Sequence, residues 1–141
     1  MIIPEKCGGL LERIRSILEG DMLFDLFKME LLEGSEGYAR LKAEVKEEFS
    51  NAHKIAHGAM VFALLDVAFA IAVNSITDAV GVQWSFNMFR SASLGDHVIA
   101  EARVIHRGRS NMVVEFMAES EQTKKKIAQG MAMALPLPRK N

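Results

Sequence analysis

The chain has 141 residues, half of them hydrophobic and a quarter charged, with a formal net charge of −1. This describes one domain able to bury a substantial core, without the charge excess that would draw nucleic acid or an anionic membrane. The single Cys7 excludes an internal disulfide and fits a reducing cytoplasm; near a terminus, with no histidine close in sequence, it lacks the setting of a reactive thiol.

The opening MIIPEKCGGLLERIRS mixes acids and bases and does not resemble a signal peptide. Within it and beyond, Leu10, Leu11, Ile14, Ile17 and Leu18 fall at helical spacing, which predicts a short amphipathic helix over 9–19 stopped by Gly20. It reads as a lid or packing element in an N-terminal extension, 1–22, ahead of a main domain, 23–141. From Met29 the period changes to two. MELLE predicts a short strand and EGSEG a turn. Over Tyr38–Lys46, Ala39, Leu41, Ala43 and Val45 alternate with charged residues, as in a strand with one wet face. NAHKIA is a loop, and a long apolar helix follows over Ala59–Asn74.

Four further strands are predicted at 80–89, 97–106, 111–120 and 127–135, the last ended by Pro136 and Pro138. Consecutive strands joined by tight turns argue for an antiparallel sheet rather than βαβ units. The fold class is therefore α+β, with the sheet curled around one long central helix. One sheet cannot cover such a helix on every side, so the chain is expected to self-associate.

Asp66 stands in the middle of that helix. Its neighbours three, four and seven positions away are Ala59, Phe62, Ala63, Phe69, Ala70 and Val73, so no polar stripe accounts for it. The helix would be about 24 Å long, short of a membrane span and interrupted by an acid. A carboxylate in apolar surroundings needs a partner or a use.

Asn51, the His57-Gly58 pair opening the helix, and Asp66 nine residues after the histidine resemble the hotdog-fold thioesterases of the phenylacetate-degradation, PaaI-like, group. EGYARLKAEV, the LGD of Leu94–Asp96 and the RGR of Arg107–Arg109 extend the resemblance over about Phe24 to Leu135. It implies a homodimer with sites between subunits, often paired again into a tetramer, that hydrolyses an acyl-CoA thioester without a further cofactor. Carried over, the Gly58 backbone N–H would polarise the thioester carbonyl and Asn51 would help hold the carbonyl or the water. Asp66 of the neighbouring subunit would be base or nucleophile, and His57 would shape the turn and contribute to the site. Ala59 replaces the second glycine of the usual HGG. Gly81 stands where some relatives have an early strand serine or threonine, and Ser91 replaces a proline. Ala59 and Gly81 are expected to line the substrate path, and Arg107 and Arg109 to grip CoA phosphates.

The assignment is physically coherent. A helix start offers unpaired N–H donors to a developing oxyanion, and desolvation makes a carboxylate a stronger base. Each residue also has a plainer reading. Asp66 could cap a backbone group or pair across a dimer, His57 could be a packed turn residue, and Asn51 could serve an unusual loop backbone. Arg107 and Arg109 could simply solvate a hairpin. His53 and His57 are four apart, but without HExxH order or a third ligand a metal site is not expected. Phe62, Phe69, Trp84 and Phe86 are expected in the core, with Trp84 a candidate wall of an acyl tunnel. The other functions weighed are a non-catalytic acyl-CoA binder and a hotdog hydratase or dehydratase, which would need a histidine paired with an acid.

Overall fold

The computed structural model describes residues 8–138, so Cys7 lies outside the described residues. Two helices, α1 (Gly8–Gly20) and α2 (Met22–Leu26), precede strands β1 (Glu30–Ser35) and β2 (Tyr38–Glu44). A single 3-10 turn (Glu47–Phe49) and a loop lead into α3 (Gly58–Asn74). Strands β3 (Ala79–Met88), β4 (His97–Arg107), β5 (Met112–Ser120) and β6 (Lys126–Pro136) complete the chain. All pairings are antiparallel, in the order β1-β2-β4-β5-β6-β3. The sheet wraps α3, which packs mainly on β2, β4 and β5, and α+β hotdog architecture is the result.

The alternation in Tyr38–Glu44 does what a period of two dictates: Ala39, Leu41 and Ala43 are buried, while Arg40, Lys42 and Glu44 face outward and stay partly exposed. The glycine-rich EGSEG is shorter as a turn than the sequence suggests. β1 continues through Gly34 and Ser35, and only Glu36 and Gly37 turn the chain, with Ser35 paired to Tyr38 and Gly37 at φ 75°. The strand survives there because the Ile14 side chain fills the space beside Gly34: a Cβ on that glycine would lie 3.1 Å from Ile14 Cδ1.

That contact also decides the role of α1. Ile14 is fully buried in the core. Arg13 donates from Nε to the Asn74 carbonyl at 2.9 Å and from Nη2 to Asp78 at 2.9 Å, binding α1 to the last turn of α3. It is a packing element, not a lid. α2 has no counterpart among the predicted elements. Its N-cap is Asp21, whose carboxylate accepts from the N–H groups of Leu23 and Phe24, a capping arrangement that satisfies two otherwise unpaired donors.

α3 is nearly all apolar, and eleven of its residues are buried. The burial is not uniform. Phe62, Asp66, Ala70 and Asn74 are only partly covered and Ala59 is exposed, forming one stripe at intervals of three and four along the helix. Asp66 therefore lies on an open seam of an apolar helix, rather than on a helix covered on all sides. The neighbouring strand β3 is a sheet edge, bonded only to β6 among the described residues, and Val80, Val82, Met88 and the following Phe89 are exposed. A Cβ at Gly130 of β6 would collide with the Ser85 carbonyl oxygen and lie 2.5 Å from Phe86 Cα. The bare backbone there is what lets β3 approach so closely.

The LGD motif has a structural task. Asp96 is 2% exposed and accepts from the Ser120 hydroxyl, from the His97 N–H at 2.7 Å and from the Gln122 N–H at 3.1 Å. One buried carboxylate thus ties the start of β4 to the β5–β6 turn. Among the described residues no helix is long and apolar enough to cross a membrane.

Candidate active site

The start of α3 is built around His57. Its backbone is extended (φ −64°, ψ 139°) and its Nδ1 accepts from the Ala59 N–H at 2.9 Å, so the imidazole is the helix N-cap. The arrangement leaves the proton of a neutral ring on Nε2. The His57 carbonyl takes the next two donors, Met60 N–H at 2.9 Å and Val61 N–H at 3.2 Å. The Gly58 N–H is left without an acceptor among the described residues. Gly58 is exposed, and a Cβ there would meet nothing within 4 Å. An unpaired donor at the positive end of a helix dipole, facing open space, can polarise a carbonyl.

Asn51 organises the loop that delivers this turn. Its Oδ1 accepts from the His53 N–H at 2.9 Å and from the Ile55 N–H at 3.5 Å, and its own N–H donates to the Ile55 carbonyl. Lys54 takes the left-handed conformation (φ 62°) inside this loop. The asparagine carbonyl is thereby occupied, and the amide NH2 is the part of the side chain able to reach a substrate.

Asp66 is half-buried on the open seam. Burial pushes its carboxyl above the usual carboxylate range, the Trp84 indole N–H opposes that shift, and the negative charge of Asp21 adds to it. Trp84 Nε1 is itself buried and completes no full hydrogen bond among the described residues, so its approach to the carboxylate is long or bent. The ring sits edge-on to Phe62 and Phe69, with centroids 6.1 and 5.9 Å away. Those phenylalanines flank Asp66 at four residues before and three after.

Asp66 and Gly58 are eight residues apart on one helix, about 12 Å along its axis. One chain cannot place both on a single thioester. Beside the helix start lies a largely apolar cavity of about 420 Å³ lined by Leu26, Phe27, Phe49, His57, Ala59 and Met60, together with Glu48 and Ser50. Phe27 and Phe49 pack at 4.8 Å. Sequence reasoning singled out His57 and Ala59 but not the other lining residues, because α2, Phe27 and the 3-10 turn converge only in the folded chain; the one local signal is the Asp21 cap.

The other expected substrate contacts lie elsewhere in the single chain. Gly81 is not open to a ligand, since a Cβ there would overlap Trp84 Cζ2 and lie 2.7 Å from Phe69 Cε1. Arg107 is exposed, bonds Glu36 at 3.4 Å, and stands with Gly37 and Ile76 beyond the C-terminal end of α3. Arg109 is exposed in the β4–β5 turn. Neither is brought near Gly58 within one chain. Among the described residues no three His, Cys, Asp or Glu are grouped to hold a metal.

The thioesterase superfamily model matches residues 53–127. The "Putative esterase" of Archaeoglobus fulgidus is 32% identical over 124 residues, covering 86% of this chain and 79% of that protein. The acyl-coenzyme A thioesterase PaaI of Escherichia coli is 28% identical over 114 residues, covering 80% and 81%. The E. coli PaaI structure superposes with a TM-score of 0.87 at 25% identity, over 92% of this chain and 94% of that one.

Proposed function

The chain belongs to the thioesterase superfamily, in its PaaI-like group, and from that premise we propose that it hydrolyses an acyl-CoA thioester at sites shared by two copies of the chain. The observation that carries the reading is the pairing of two unspent groups on one helix: the unpartnered Gly58 N–H and the half-buried Asp66 carboxylate. Because one helix holds them about 12 Å apart, each site combines Gly58 of one copy with Asp66 of another. The open α3 seam and the exposed apolar edge of β3 are the surfaces expected to meet, giving a dimer; its further pairing into a tetramer is the companion expectation.

In this reading the thioester carbonyl oxygen accepts from Gly58 N–H, with the Asn51 amide beside it. Asp66 takes a proton from water as the water oxygen bonds to the carbonyl carbon. The tetrahedral oxyanion, held at the helix start, collapses, the C–S bond breaks, and the carboxyl returns its proton to the departing thiolate. The products are a carboxylic acid and free CoA. A thiolate leaves readily, so a donor and one carboxylate suffice. Asp66 acting as nucleophile through a mixed anhydride gives the same products. The apolar cavity beside Ala59 suits the acyl group, Gly81 acts through the ring above it rather than by touching substrate, and Arg107 and Arg109 are the expected CoA phosphate contacts. The reading places the enzyme in the cytoplasm with CoA thioesters. A hydratase would need His57 paired with an acid, whereas its Nδ1 is engaged by Ala59 N–H.

The test is thiol release over a panel of short, long and aryl acyl-CoA substrates. Asp66→Asn is expected to lower kcat by at least about a thousandfold while binding a non-hydrolysable acyl-CoA analogue and keeping its assembly. Analogue binding with no thiol release by the unmodified chain would instead make it a binder.

A further inference from the structure

Three observations converge on a residue outside the expected catalytic set. The Trp84 indole nitrogen is buried without a full hydrogen bond, a costly state for a polar group unless it serves a purpose. Its ring is gripped between Phe62 and Phe69, which bracket Asp66 on α3. It can lie there only because residue 81 has no side chain, since any Cβ would overlap the ring. Gly81 begins a local register shift in β3, between Gly81 and Gln83, that re-aims the strand.

We propose that Gly81 and Trp84 act together as a positioning device for Asp66: the glycine makes room for the indole, and the indole N–H holds the carboxylate in its working orientation across the subunit seam. The proposal rests on the thioesterase reading for its functional consequence, while the contact itself can be tested without activity. An N–H donor facing a half-desolvated carboxylate stabilises the ionised form and so opposes the upward push that burial gives Asp66. A long or bent approach in the free chain is expected to tighten when substrate completes the site.

The chain has one tryptophan, so its indole N–H gives a single nitrogen-15 NMR resonance. That resonance is expected to titrate with Asp66, and Asp66→Asn is expected to abolish the inflection. A pH-independent resonance, or an inflection that survives in Asp66→Asn, overturns the proposal. Trp84→Phe keeps an aromatic ring and removes the donor. Its kcat should fall roughly tenfold, the value of a hydrogen bond to a charged group, with KM little changed and the acid limb of the rate profile moved to higher pH. A uniform loss at all pH values would indicate a merely structural ring and overturns the positioning role. Uniform replacement of Trp84 by 5-fluorotryptophan, a stronger donor in the same shape, should move the limb the other way, and needs no new packing. If Asp66→Asn hydrolyses at full rate while the resonance still titrates in the unmodified chain, the catalytic assignment of Asp66 fails and the indole contact stands.

Discussion

Gly81→Ala tests the packing at the centre of the site. The new methyl would overlap Trp84 Cζ2 and would also lie 2.7 Å from Phe69 Cε1 and 2.9 Å from Trp84 Cη2, the last two about 0.8 and 0.6 Å inside the ~3.5 Å optimum for carbon contacts. Both obstacles are rings that pack edge-on against each other, so a shift of one disturbs the other. Overpacking of this kind costs about 1–3 kcal/mol. β3 is an edge strand and Trp84 is only partly covered, which lets the ring swing outward and favours about 1–2 kcal/mol. At ~2–4 °C per kcal/mol for a chain near this size, Tm should fall by about 2–8 °C. Thermal unfolding by circular dichroism measures that loss. Emission of the lone tryptophan should shift to longer wavelength as the indole meets water, and thiol release should drop with it. Unchanged Tm and unchanged emission would refute the placement of the ring over Gly81; shifted emission with full hydrolysis would refute its service to Asp66.

Asp66→Asn should raise Tm by a few degrees at neutral pH, as relief of a strained functional group commonly does. The folded-state pKa of Asp66 is raised by burial, so ionisation there weakens the fold as pH climbs past the unfolded value; the gain should vanish below about pH 4, where both states are protonated. An equal gain at every pH would contradict this. For the same reason, the acid limb of the hydrolysis profile should lie above the ordinary carboxylate range, measured by initial rates against pH. Asp96→Ala should cost about 2–4 kcal/mol in urea unfolding, because it strands Ser120 and the Gln122 and His97 amides. Ile14→Ala should cost about 2–4 kcal/mol with kcat nearly unchanged; a change in kcat without loss of stability would restore α1 as a lid.

β2 was legible by its alternation, α3 by its long apolar run and the later strands by the turns between them, and Gly20, Gly37, His57-Gly58 and Pro136 mark element ends or turns as expected. EGSEG misled because a glycine beside a buried isoleucine imitates a turn glycine, and only the fold places Ile14 over Gly34. The open seam of α3 was hidden for a related reason. Its members are apolar apart from Asp66 and Asn74, so composition could not separate a side meant for a second copy from a side meant for the sheet. His57 and Asn51 were found by position, yet their local bonds to Ala59, His53 and Ile55 depend on backbone angles. Trp84 was legible as an aromatic but not as a donor, since only the fold sets its ring between Phe62 and Phe69 beside Asp66.

The close pairing of β3 with β6 at Gly130 extends the reach of the site. The strand that carries Trp84 is docked by a position on its neighbour that touches neither the indole nor Asp66. Enlarging residue 130 would push the β3 backbone at Ser85 and Phe86 out of place and shift the ring with it. Differences in rate between chains of this shape could therefore originate in β6, in a residue that no inventory of reacting groups would include.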